Sequence, residues 1–135
     1  MHRLRKTFLR KKSVLLVEDN LSMCRLLTRI LEHNYEVHSF GSAIDAIHWL
    51  GQAKKAPDVI VSDILMKNMD GIEFARYLNI TGLYDSIPFI FLSGLEEESI
   101  KAKLMTVDYD GYIHKPFRPD LLTDKIEATC NLVKA

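Results

Sequence analysis

Hydrophobic positions along this chain fall into two alternating patterns. Short unbroken apolar runs recur at Ser13–Val17, Asp58–Ser62, Pro88–Leu92 and Gly111–His114, while Tyr35–Phe40 alternates apolar with polar. Runs of four to six residues rich in Val, Ile and Phe read as strands, the unbroken ones as strands covered on both faces. Between them lie stretches with apolar residues three and four apart, the spacing of a helix with one buried face. The first carries Met23, Leu26, Leu27, Ile30 and Leu31, with Asn20 or Ser22 as its cap and Asn34 as a left-handed stop. The second starts at Ser42 and turns Ala43, Ile44, Ala46, Ile47 and Leu50 inward, and the third covers about Ile72 to Leu78. A fourth is expected from Glu96 to about Val107, its first-turn acids suiting the positive end of a helix dipole. The last starts at Pro119-Asp120 and buries Leu121, Leu122, Ile126 and Leu132.

Five strands alternating with five helices predict a single doubly wound five-stranded parallel sheet, an α/β fold with helices on both faces. In such a sheet the chemistry collects outside the carboxyl ends of the strands. The first strand delivers Glu18 and Asp19 there, the third Asp63, the fourth Ser93 and the fifth Lys115. Three carboxylates so close repel one another, and a hard divalent cation relieves the conflict. Few protein ligands and several waters favour Mg²⁺ over Ca²⁺. A cation beside a carboxylate, with an ammonium and a hydroxyl, is a cradle for a phosphoryl group, Asp63 being the nucleophile.

Composition narrows the alternatives. Lys plus Arg and Asp plus Glu are each eighteen, so the chain is formally neutral and carries no global field for nucleic acid. The first twelve residues hold six bases and no acid, which leaves twelve bases against eighteen acids, about −6, on the remainder. Residues 1–12 are therefore expected to be a flexible basic arm, and 13–134 the folded domain. Cys24 and Cys130 lack metal-ligand spacing and suggest reduced thiols in a cytoplasmic setting. No apolar run approaches the eighteen or so residues of a membrane span.

Five short pieces carry a resemblance: Val17-Glu18-Asp19-Asn20, Val61 to Met66, Met69-Asp70-Gly71, Phe91-Leu92-Ser93-Gly94 and Tyr112 to Phe117. Each is weak alone, but five in order on the right elements make the chain resemble the receiver domains of the bacterial two-component response-regulator family. The resemblance implies a flavodoxin/CheY-like (βα)5 fold and a phosphoacceptor switch rather than an enzyme. Asp63 would accept phosphoryl from a histidine kinase or phosphotransfer protein. Asp19 and Asp63 would hold Mg²⁺, with Glu18 acting through a water and the backbone carbonyl of Leu65 completing the protein ligands. Lys115 would contact the phosphoryl group, Ser93 would swing toward it, and Tyr112 would rotate inward behind Ser93. The Lys115–Pro116 bond would be cis. A changed face of the fourth helix, fifth strand and fifth helix would then meet a downstream protein or output domain, with a homodimer left open and no contact with nucleic acid or membrane.

Two departures stand out. The family pattern has Pro after Met66, where this chain has Lys67, expected to loosen the loop or present a charge to the phosphodonor. Ser93 stands for the commoner Thr. Nothing after the fifth helix would hold an output domain, so a stand-alone regulator and a piece of a longer protein both remain open. An aspartyl-phosphate phosphatase of the haloacid dehalogenase type is the enzyme alternative, but it needs a second acid where Leu65 stands. A pseudo-receiver that binds partners unphosphorylated is opposed by retention of all five site residues. A flavin module of this fold wants a phosphate-cradling loop where Glu18 and Asp19 are.

Overall fold

The computed structural model describes residues 11–134; the basic arm lies almost wholly outside them. Five strands form one parallel sheet: β1 (Lys12–Val17), β2 (Tyr35–Phe40), β3 (Val59–Asp63), β4 (Phe89–Ser93) and β5 (Gly111–His114), in the order β2-β1-β3-β4-β5. Every residue of the central strands β3 and β4 is buried, as continuous apolar runs require. β2 alternates because it is an edge strand.

The pleat splits the core into two layers. On one face Val14, Leu16, Val59, Val61, Ile90 and Leu92 pack under helices α1 (Leu21–Glu32) and α5 (Pro119–Lys134). On the other, Leu15, Val17, Ile60, Phe89 and Phe91 meet α2 (Ala43–Gln52), α3 (Gly71–Thr81) and α4 (Lys101–Leu104). Local chemistry sets the helix starts. Asn20 accepts from the Met23 amide at 2.9 Å and Ser42 from the Asp45 amide at 3.1 Å. Asp70 and Glu73 form a reciprocal capping box that begins α3, which ends at Gly82 in the left-handed region (φ 69°).

Several expectations need correction. Leu26, Ile44 and Leu121 are exposed, not inward. Each lies one residue, about 100° of helix, from the stripe that the sheet selects: Leu27 and Leu31, Ala43 and Ala46, Leu122 and Ile126. Asn34 does not stop α1 in a left-handed turn. His33 stays right-handed and the Asn34 amide bonds back to the Leu31 carbonyl at 3.1 Å, feeding directly into Tyr35. The fourth helix is also much shorter than expected. Glu97–Ile100 is a 3₁₀ turn without a side-chain cap, and only Lys101–Leu104 is α-helical. The Ser99 hydroxyl donates to the Glu96 carbonyl at 2.7 Å, competing with the helical ladder, and Leu104 is the one buried side chain in the segment.

Gly71 ties the fold to the strand that carries Asp63. Its amide donates to the Ile64 carbonyl at 2.8 Å. A Cβ there would lie 2.1 Å from the Asp63 carbonyl oxygen, a backbone atom that cannot swing aside. Gly51, near the end of α2, would meet nothing within 4 Å. The two glycines should therefore respond oppositely in urea unfolding. Gly71→Ala is expected to lose about 1–3 kcal/mol through overpacking, and Gly51→Ala to gain about 0.5–1 kcal/mol from the better helix former.

Candidate functional site

The parallel register brings the ends of β1 and β3 side by side, Val17 opposite Ser62, so Glu18, Asp19 and Asp63 emerge together. One carboxylate oxygen from each lies within 4.8 Å of the others. Glu18 and Asp63 are only 2% and 7% exposed, while Asp19 is partly open. Lys115 follows β5, and its amide donates to the Ser93 carbonyl at 2.7 Å, which fixes the residue at this edge. Its Nζ reaches Glu18 Oε1 at 2.9 Å and Asp63 Oδ2 at 3.1 Å. The Lys115–Pro116 peptide bond is cis.

Three further oxygens are held by main-chain amides. Ile64 donates to Asp63 Oδ1 at 2.7 Å, Asn20 to Glu18 Oε2 at 3.1 Å, and Lys67 to Asp19 Oδ2 at 3.1 Å. The last of these ties the loop at Lys67 to the turn at Asp19. Sequence reasoning missed these donors because every residue but proline carries one, so no side-chain letter marks them. The letter at position 67 was informative only in not being Pro.

Electrostatics follow from burial and charge balance. Burial pushes the Glu18 carboxyl up, and Asp63 adds to the push, against the hydrogen bonds from Lys115 and Asn20. Burial alone would lower Lys115, but Glu18 and Asp63 outweigh it and hold the ammonium above its ordinary value. Three acids face one ammonium, an all-oxygen donor set with excess negative charge, which fits a hard divalent cation and the Mg²⁺ site of receiver domains.

Ser93 and Tyr112 stand behind this group. Ser93 is fully buried and its Oγ accepts from the Leu95 amide at 3.1 Å. Tyr112 is half-buried, donates its hydroxyl to the Leu95 carbonyl at 2.5 Å, and tilts against Phe91 with ring centroids 6.5 Å apart. Burial is the largest influence on its phenol and raises it, while the nearby Ser93 hydroxyl opposes. Leu65 lies in the loop after Asp63 with its side chain exposed. The geometry therefore gathers Glu18, Asp19, Asp63 and Lys115 into direct or near contact, and sets Ser93 and Tyr112 around a shared loop residue.

Known proteins carry the same arrangement of elements. The family model for the response regulator receiver domain matches residues 14–127. Response regulator MprA of Mycobacterium leprae is 30% identical over 122 residues, covering 90% of this chain and 52% of that protein. The hybrid signal transduction histidine kinase D of Dictyostelium discoideum is 30% identical over 126 residues, 93% of this chain but 8% of the kinase. The solved chemotaxis response regulator CheY4 of Vibrio cholerae superposes with a TM-score of 0.80 at 26% identity, over 89% of this chain and 99% of that one. The fold and its acidic edge define a CheY-like α/β domain. The chain belongs to the response regulator receiver family of two-component signalling. It spans about half or less of the curated relatives just described. Among the described residues no helix is long and apolar enough to cross a membrane.

The charge imbalance has a measurable consequence without any metal. Asp19→Asn removes one of three crowded charges yet keeps an oxygen for the Lys67 amide. In EDTA its unfolding free energy should rise by about 0.5–1 kcal/mol, the scale of partly exposed charge pairs, seen as a higher urea midpoint; an unchanged or lower midpoint contradicts the repulsion.

Proposed function

We propose that this domain is a phosphoacceptor switch in which Asp63 takes a phosphoryl group from a histidine kinase or phosphotransfer protein. The observation that carries the reading is the state of Asp63: 7% exposed, with one oxygen held by the Ile64 amide, the other by Lys115, and two further acids within reach. Asp19, Asp63 and the Leu65 carbonyl would hold Mg²⁺, with Glu18 acting mainly through a water. When bound, Mg²⁺ supplies charge neutralisation for the transferring phosphoryl oxygens.

The protein's own groups do the rest. The Ile64 amide keeps the carboxylate oriented while an Asp63 oxygen bonds to phosphorus and the bond from phosphorus to the donor nitrogen breaks. Lys115 passes from Asp63 Oδ2 to a phosphoryl oxygen, staying charged throughout. Ser93 releases the Leu95 amide and turns its hydroxyl to the new group, which adds about two negative charges and strong acceptor oxygens. Tyr112, holding the Leu95 carbonyl, follows the moving segment and rotates further in. The face of α4, β5 and α5 then favours a different partner, to the extent that the phosphoryl group contacts the two states differently.

The setting is cytoplasmic, and the reader is a downstream protein, an output domain or a second copy, with no contact to nucleic acid or membrane.

Acetyl phosphate with Mg²⁺ tests the reading by intact mass. The wild type should gain one phosphoryl group, and both Asp63→Asn and EDTA should abolish the gain. Ser93→Ala should still accept phosphoryl but lose the coupled change at Tyr112. A wild type that never gains the group would make this a pseudo-receiver, and repeated turnover of a small phosphoester would make it a phosphatase.

A further inference from the structure

Two of the bonds that hold the segment after β4 are ones the proposed switch rearranges. Ser93 Oγ accepts from the Leu95 amide at 3.1 Å, and Tyr112 donates to the Leu95 carbonyl at 2.5 Å. Two residues further on, the Tyr109 hydroxyl donates to Glu97 Oε2 at 2.8 Å, a bond that involves neither Ser93 nor Tyr112. Tyr109 is rooted in the core: it is partly buried, and its ring centroid lies 5.3 Å from that of the fully buried Phe91. Glu97 opens the 3₁₀ turn. That turn is closed on itself, since the Ser99 amide and hydroxyl both donate to the Glu96 carbonyl, at 3.0 and 2.7 Å. A hold on Glu97 is therefore a hold on the whole turn. Among the described residues it is the one hydrogen bond from residues 97–104 to β5 or the turn leading into it. Beyond α4 the chain is fixed again, to α3: Arg76 donates to Thr106 Oγ1 and the Asp108 amide to Asn79 Oδ1, each at 2.8 Å.

We infer that Tyr109 is a positioning residue for the switch: its hydroxyl, through Glu97, latches the 3₁₀ turn in the arrangement seen here and sets the threshold for moving α4. This rests on the phosphoacceptor reading above and extends it to a residue that touches neither the acids nor the phosphoryl group. A displacement begun at Ser93 passes along residues 94–96. At Glu97 it meets a bond anchored against Phe91, and it either stops there or breaks that bond. Little else resists it, because the segment buries only Leu104 and no side chain caps either turn. The latch stabilises one of the two states and not the other, which is what a contact must do to bias a switch. Burial, and then the Glu97 carboxylate, push the Tyr109 phenol up to about 12, so the hydroxyl keeps the proton it donates at neutral pH.

Tyr109→Phe deletes the hydroxyl and keeps the ring against Phe91, Glu97→Ala deletes the acceptor, and Glu97→Gln keeps an acceptor oxygen. Hydrogen exchange of the full chain, read by mass over residues 98–104, should run about fivefold faster in Tyr109→Phe and in Glu97→Ala, the scale of one modest hydrogen bond. The double variant should be no faster than either single one, since both remove the same bond. Glu97→Gln should stay within about twofold of the wild type, and exchange in β4 should not change. In a second arm acetyl phosphate is titrated with Mg²⁺ and the phosphorylated fraction read by intact mass. Tyr109→Phe should reach half-phosphorylation at about threefold less acetyl phosphate, because the displaced state is already more populated; a general loosening of the fold gives no such gain. Tyr109→Phe with wild-type exchange, or a double variant as fast as the product of the two singles, would overturn the inference. Should Tyr109→Phe not fold, Glu97→Ala, changed at an exposed side chain, carries the same expectations. A wild type that gains no phosphoryl group sinks the phosphoacceptor reading and this inference together, whereas a wild type that gains it at the same acetyl phosphate concentration as Tyr109→Phe sinks this inference alone.

Discussion

The structure depends on one ammonium shared between two carboxylates that water scarcely reaches. Glu18 and Asp63 are buried side by side, and Lys115 stands at 2.9 and 3.1 Å from them. A buried carboxylate without a partner is among the costliest features a protein can carry. Here one cation serves both, leaving Asp19 and the surplus charge at the open side. The backbone arrangement maintains that imbalance. β1 and β3 are hydrogen-bonded neighbours, which forces their carboxyl ends together, and the Lys115 amide is pinned to the end of β4. The surplus of negative charge is thus built into strand order and does not depend on flexible side chains.

Most of the architecture could be read from the residue pattern because a buried parallel strand has a distinctive composition. Val59-Ile60-Val61 and Phe89 to Leu92 have no polar side to show, so their place at the sheet centre follows from their letters. The acids at strand ends were legible for the same reason, each interrupting an apolar run. Helix faces were less so. Leu26, Ile44 and Leu121 are as apolar as their buried neighbours, and only the position of the sheet decides which of two adjacent apolar residues turns inward. The fourth helix failed for a different reason: three acids suggest a first turn but cannot supply the apolar stripe that stabilises one. The main-chain donors at Asn20, Ile64 and Lys67 left no mark in the sequence at all.

Behind the acids, the segment after β4 is gripped at three successive residues. Tyr112 holds the Leu95 carbonyl, His114 stands 3.5 Å from Glu96, and the Tyr109 hydroxyl donates to Glu97 at 2.8 Å. All three partners belong to β5 or the turn leading into it. Phe91 touches both Tyr109 and Tyr112, so β4 and β5 present a joined aromatic surface to this segment. A displacement at Ser93 therefore does not dissipate in a loose loop but meets side chains rooted in the sheet.

In the proposed switch, the shortness of α4 would give a displacement at Ser93 its leverage. Across Glu97–Leu104 a single side chain, Leu104, is fully buried, and no side chain caps either turn. The polar grips on residues 95–97 supply direction more than strength, since exposed polar contacts are individually weak. A stretch so lightly moored sits at the low end of the molecule's ladder of local opening energies. On the proposed reading the central strands would stay in place while this one panel rearranged, at an energy small beside that of unfolding the domain.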